Sequence, residues 1–141
     1  MLLYRAVACP YFYPLARFES NPWTVPPRLP LGDAYAGECR APGAAVPDEN
    51  RMREICNLGY GRNRCEWFPA ASAADAVRFH ISEDTGTLVR IQYVLEKDCW
   101  PGESGFIESR AGSDFDAASG ETLRRQAGAF LESYLRRRNE R

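Results

Sequence analysis

Between residues 76 and 97 hydrophobic and polar side chains alternate. Val77, Phe79 and Ile81 are separated by Arg78, His80 and Ser82, and Val89, Ile91, Tyr93 and Leu95 are interleaved with Arg90, Gln92 and Glu96. Period two places one set on each face of a strand. The intervening Glu83-Asp84-Thr85-Gly86-Thr87 reads as a turn. The pattern predicts an antiparallel hairpin over 76–97 with one apolar face. An isolated two-stranded hairpin is marginal in water, so further edge strands are expected at Leu3–Val7 and Phe106–Ser109.

From Ser119 to Arg138 the period changes. Leu123, Ala127, Phe130, Leu131, Tyr134 and Leu135 fall on one stripe at helical spacing. Ser119 is a suitable N-cap, and the arginines near the end complement the helix dipole. This helix is expected to pack across the sheet.

Residues 1–70 show no sustained period. They contain most of the ten prolines, and the stretch NPWTVPPRLPLG at 21–32 cannot form an ordinary helix or a central strand, because proline fixes φ and lacks a donor. So long a loop needs anchoring, for which burial of Trp23 and Leu29 and a shared centre bound by cysteines are the candidates. A short helix is expected after the N-cap Asp48, with Met52, Ile55 and Cys56 on one face and Asn57 and Gly59 as stop signals. The predicted architecture is a single α+β domain spanning 1–141. It combines an irregular cysteine-rich lobe (1–70), a small antiparallel sheet built on the hairpin (76–97) and a C-terminal amphipathic helix (119–138).

A chain of 141 residues can bury a sizeable core without disulfides or metal. The formal charge of −1 argues against coating nucleic acid by net charge. The arginine-rich end of the last helix, with Arg124, Arg125, Arg136, Arg137 and Arg138, reads first as a solvated face and second as a contact for RNA or an acidic partner. The N-terminus lacks the basic and apolar regions of a signal peptide, and no apolar run is long enough to span a bilayer. A reduced, cytoplasmic setting is the expectation, and disulfides are uncommon there.

That setting changes the meaning of the cysteines. Cys9, Cys39, Cys56 and Cys65 are separated by 29, 16 and 8 residues, and Cys99 stands apart. Structural zinc sites usually use short knuckles in which two to four residues separate a pair of cysteines, and these are missing here. A [4Fe–4S] cluster also takes four thiolates but is larger, so its ligands can come from scattered loops. The wide gaps, the Cys9-Pro10 step and the aromatic neighbours Tyr11, Phe12, Tyr13, Trp67 and Phe68 favour the cluster, since an apolar shell limits solvent access. Burial of the cysteines as small apolar residues is the plain alternative. Arg40, Arg62 and Arg64 are the nearby cations that could offset thiolate charge. Cys56 closes a helix, where the dipole disfavours a thiolate but a bound ion would restore it. Cys99 reads as a loop cysteine, and His80, the single histidine, as solvent-facing.

The order CPYFYP, RLPLGDAYAGEC, CNLGYGRNRC and then a hairpin resembles a group of short, uncharacterised bacterial proteins, from Cys9 to Asp98. The resemblance implies a shared cysteine framework and carries no activity or catalytic residue. Gly59-Tyr60-Gly61 has neither the spacing nor the context of a phosphate loop, and no nucleophile motif accompanies His80. The expected function is therefore a small iron–sulfur protein, with Cys9, Cys39, Cys56 and Cys65 as ligands of a [4Fe–4S] cluster. It would act as an electron carrier or as a subunit of a redox assembly with a protein partner. The alternative is a binding or scaffold module with a structural zinc site built from the same four cysteines. No residue is expected to be catalytic, although a thiol enzyme using Cys99 is a third possibility.

Overall fold

The alternating stretch forms two strands of a three-stranded antiparallel sheet. The computed structural model describes residues 7–18, 29–62, 64–110 and 120–139. Elements in chain order are β1 (Phe12–Arg17), β2 (Tyr35–Cys39), a single helical turn α1 (Glu49–Arg51), a π-helical turn (Met52–Cys56), β3 (Ala76–Asp84), β4 (Leu88–Lys97), β5 (Trp100–Arg110) and α2 (Glu121–Asn139). The fold is α+β. One sheet is ordered β3-β4-β5 and the other pairs β1 with β2.

The predicted hairpin is β3–β4, with Val77 opposite Leu95, Phe79 opposite Tyr93 and Ile81 opposite Ile91. The third strand is longer than the expected 106–109 and runs back from Trp100 to Arg110. It turns through Asp98 and Cys99, both at positive φ (53° and 67°), as a tight two-residue hairpin of this kind requires. At Gly105 a side chain would collide with the Tyr93 ring, since a Cβ there would lie 2.6 Å from its hydroxyl oxygen. Most of the proposed N-terminal strand lies outside the described residues, but Ala8 makes a bridge to Val77 at its end.

Helix α2 lies on the apolar face of this sheet, as its stripe predicts. Leu131 packs on Val89 and Ile91, with Phe130, Tyr134 and Leu135 beside it. Ala127 packs on Tyr93 and Ile107, and the Phe130 ring stacks on Phe79 at 5.7 Å. The expected N-cap, Ser119, lies outside the described residues. The far end of the helix is tied down by charge: Arg138 meets Asp84, and Arg136 and Arg137 meet Asp33.

The N-terminal lobe is more regular than its composition suggests. Its second sheet is the β1–β2 hairpin, in which Phe12 faces Cys39 and Pro14 faces Gly37. A Cβ on Gly37 would lie 2.1 Å from the Tyr13 carbonyl oxygen, so only glycine allows the strands to approach this closely. Most of the proline-rich stretch, with Trp23, lies outside the described residues. Leu31, rather than Leu29, is the fully buried leucine there.

Two polar anchors join the lobe to the sheet. The buried Glu96 carboxylate accepts from the Tyr60 hydroxyl and, at 2.9 Å, from Arg78 Nε. Asp75, also buried, accepts from Arg62 Nε at 2.6 Å and from the Asp98 backbone N–H at 2.8 Å. Both carboxylates are thereby paired, as buried charges must be.

Candidate metal centre

Four short segments place the four spaced cysteines within electrostatic reach of one another. Cys9 follows Val7 and Ala8, both fully buried. This stretch bonds to β3 through Ala8 and Val77, and to the 56–59 loop through Cys9 N–H to the Cys56 carbonyl and Gly59 N–H to the Val7 carbonyl. Cys9 then opens a turn closed by the Phe12 N–H on its own carbonyl. Cys39 ends β2 opposite Phe12. Cys65 sits in a turn held by its N–H on the Gly61 carbonyl, and the Phe68 ring beyond it meets the Tyr11 ring edge-on at 5.5 Å.

Cys56 is delivered by the predicted helix in altered form. Asp48 caps it as expected, accepting from the Arg51 N–H at 2.8 Å. After one α turn the spacing widens, and the Asn57 N–H bonds to the Met52 carbonyl five residues back. The buried Asn57 side chain explains why. It accepts from the Tyr35 N–H and donates to the Tyr35 and Met52 carbonyls, all within 2.9 Å. The π turn thus locks the Cys56 segment to β2. Such turns occur frequently at functional sites.

Cys39 and Cys65 lie close enough to Cys9, Cys65 to Cys39, and all three to Cys56, to resist ionisation there. Cys9 and Cys56 are buried, whereas Cys39 and Cys65 are half-exposed. Burial pushes the Cys9 thiol up to about 12; the Tyr11 backbone N–H offsets part of this, Cys39 and Cys65 add to it, and the Phe12 N–H also offsets it. Cys56 is raised by burial first and then by the other three thiols. Cys39 is raised by burial, with the Ala41 N–H, 3.4 Å from its sulfur, acting against it.

Donors nevertheless meet two of these sulfurs. Besides the Ala41 amide at Cys39, Arg51 Nη1 donates to Cys65 Sγ at 3.1 Å. The same guanidinium stacks 4.0 Å over the Trp67 ring and pairs with Glu66. The cations expected from sequence point elsewhere. Arg40 pairs with Glu38 and covers Tyr13, Arg62 serves Asp75, and Arg64 lies over Gly59. The i, i+3 relation of Arg51 to its cap Asp48 gave no sign that it would face Cys65, 14 residues on.

Among the described residues, no three His, Cys, Asp or Glu side chains are drawn in tightly enough to hold a single metal ion. Cys99 is exposed in the β4–β5 turn, and His80 is exposed on β3. A cleft of about 710 Å³ between β1 and α2, lined by Tyr13, Arg17, Tyr35, Arg124, Arg125 and Glu132 among others, includes none of the cysteines. Among the described residues no helix is long and apolar enough to cross a membrane. No protein-family model, curated protein or solved structure matches this chain.

Proposed function

We propose that Cys9, Cys39, Cys56 and Cys65 bind a [4Fe–4S] cluster and that the protein works as an electron carrier or as a subunit of a redox assembly. The observation that carries this reading is the pair of donors aimed at the Cys39 and Cys65 sulfurs. A neutral thiol buried as a small hydrophobe needs no such partners. A thiolate does, and hydrogen bonds to ligand sulfurs also tune the potential of an iron–sulfur centre. The Cys9, Cys39 and Cys56 thiols, raised by burial and by neighbouring thiols, are an arrangement a cation would relieve, with release of protons.

The spacing of the cysteines along the chain, without the short knuckles usual at structural zinc, supports a cluster over zinc. When bound, the cluster supplies one-electron transfer. The chain supplies four ligands, an aromatic shell of Tyr11, Phe12, Trp67 and Phe68, and the Arg51 charge at the half-exposed Cys65. A zinc-stabilised binding module is the second reading.

The test is purification without oxygen, followed by iron, sulfide and zinc analysis and EPR after reduction. The expected result is about four irons with matching sulfide per chain, lost in Cys56→Ser and Cys65→Ser and kept in Cys99→Ser. Colourless protein carrying one zinc, or no metal, rejects the cluster. Five cysteine substitutions with equally mild effects reject the shared centre itself.

A further inference from the structure

Gln126 of α2 is fully buried, and its side-chain amide donates both hydrogens to the turn that carries Cys9: Nε2 lies 2.8 Å from the Cys9 carbonyl oxygen and 2.7 Å from that of Phe12. The amide orientation is unambiguous, because the reverse would press Oε1 against two carbonyl oxygens. In the observed orientation Oε1 has no partner among the described residues. An unpaired buried acceptor is costly, so a glutamine here is poorly explained as ordinary core packing. The neighbouring Arg125 bonds the Pro14 and Leu15 carbonyls. Two consecutive helix residues therefore splint the chain from Cys9 to Leu15, including the turn that the Phe12 N–H closes on the Cys9 carbonyl.

We infer that Gln126 is a positioning residue for the metal centre: by holding the Cys9 and Phe12 carbonyls it fixes the Cys9–Phe12 turn and with it the place of the Cys9 sulfur. The inference rests on the cluster reading. It makes α2, which contributes no ligand, part of the machinery that sets the electronic state of the centre. Residue types at hydrogen-bonding distance from ligand loops adjust potential and ligand basicity in this way.

The test uses the full chain with Gln126→Met, which keeps length and removes both donors, and Gln126→Glu, which keeps shape and sets a carboxylate against two carbonyls. Tyr35→Phe is the comparison, because it removes the buried hydroxyl bonded to the Ala129 carbonyl and Ser133 on the same helix. In reduced, metal-free protein, exchange of the Phe12 amide, which closes the turn on the Cys9 carbonyl, should quicken about tenfold in Gln126→Met, as loss of one net hydrogen bond predicts, and stay unchanged in Tyr35→Phe. In the iron-loaded protein, Gln126→Met should move the midpoint potential and the EPR g-values and speed iron loss to a chelator, with Gln126→Glu more severe. Equal exchange in Gln126→Met and Tyr35→Phe overturns the inference, as does faster exchange with an unmoved potential and spectrum. If the wild-type chain takes up no iron, the cluster reading fails, and the exchange comparison still decides whether Gln126 holds the turn.

Discussion

Replacing Asn57 by alanine removes the bridge between β2 and the π turn that presents Cys56. The side chain is 1% exposed and makes three hydrogen bonds, two to the Tyr35 main chain and one to the Met52 carbonyl. The Met52 carbonyl keeps the Asn57 backbone N–H as a partner, so the groups left dry are the Tyr35 N–H and C=O. At about 1 kcal/mol for each bond lost, and up to about 3 for a stranded buried group, the cost comes to about 3 kcal/mol. That is a large fraction of the roughly 5–15 kcal/mol that holds a typical domain together, and it corresponds to a fall in Tm of roughly 10 °C for a chain of this size. Urea denaturation of the reduced, metal-free protein, followed by circular dichroism, measures it. Asn50→Ala is the control: Asn50 is exposed and among the described residues its side chain meets Arg53, so its loss should stay within about 0.5 kcal/mol. A loss below about 1 kcal/mol for Asn57→Ala, with an unchanged denaturant slope, would show that the bridge does not hold the Cys56 segment.

Arg51→Met should lower the midpoint potential of the iron-loaded protein by tens of millivolts, because it removes a positive charge and an N–H donor from Cys65; protein-film voltammetry reads this, and an unchanged or raised potential refutes it. Asp84 is held down at about 2 by the Tyr134 hydroxyl, the Gly86 amide and Arg138. Its folded pKa lies below the unfolded value of about 3.9, so its stabilising contribution is complete above about pH 4 and is lost as the pH falls toward 2. The urea midpoints of wild type and Asp84→Asn should therefore differ at about pH 6 and converge near pH 2. Gly37→Ala should cost about 1–3 kcal/mol in the same denaturation assay, since its Cβ would meet the Tyr13 carbonyl and force β1 from β2; a neutral result would show that the strands can part freely.

The hairpin and α2 were legible in the chain because each has one dry face and one wet face, so the period of burial is written in the residue order. Strand β1 was not. Phe12-Tyr13-Pro14-Leu15-Ala16-Arg17 contains a proline and carries an exposed Leu15, and proline is tolerated there only because a two-stranded sheet consists of edges and the register slips between Pro14 and Ala16. Most of β5 was hidden for a similar reason. Its first half, with Pro101, Gly102 and Gly105, is largely exposed and shows no alternation. The cap at Asp48 marks the start of the short helix, but the switch to π spacing depends on Asn57 reaching Tyr35, 22 residues away in sequence.

By itself, then, the sequence determined the elements whose hydrophobic period is local, the cap at Asp48, and a supply of thiols too widely spaced for zinc knuckles. Only the tertiary structure decided that Cys9, Cys39, Cys56 and Cys65 come within electrostatic reach of one another, that Cys99 and His80 are exposed, and that Arg51 rather than Arg40, Arg62 or Arg64 meets a sulfur. It also brought Gln126 across 117 residues of sequence to the Cys9 turn. The physical reason is that neighbours along a chain fix only local dihedral preferences. Which way a long side chain points is settled by the carboxylates, rings and carbonyls that packing brings within its reach.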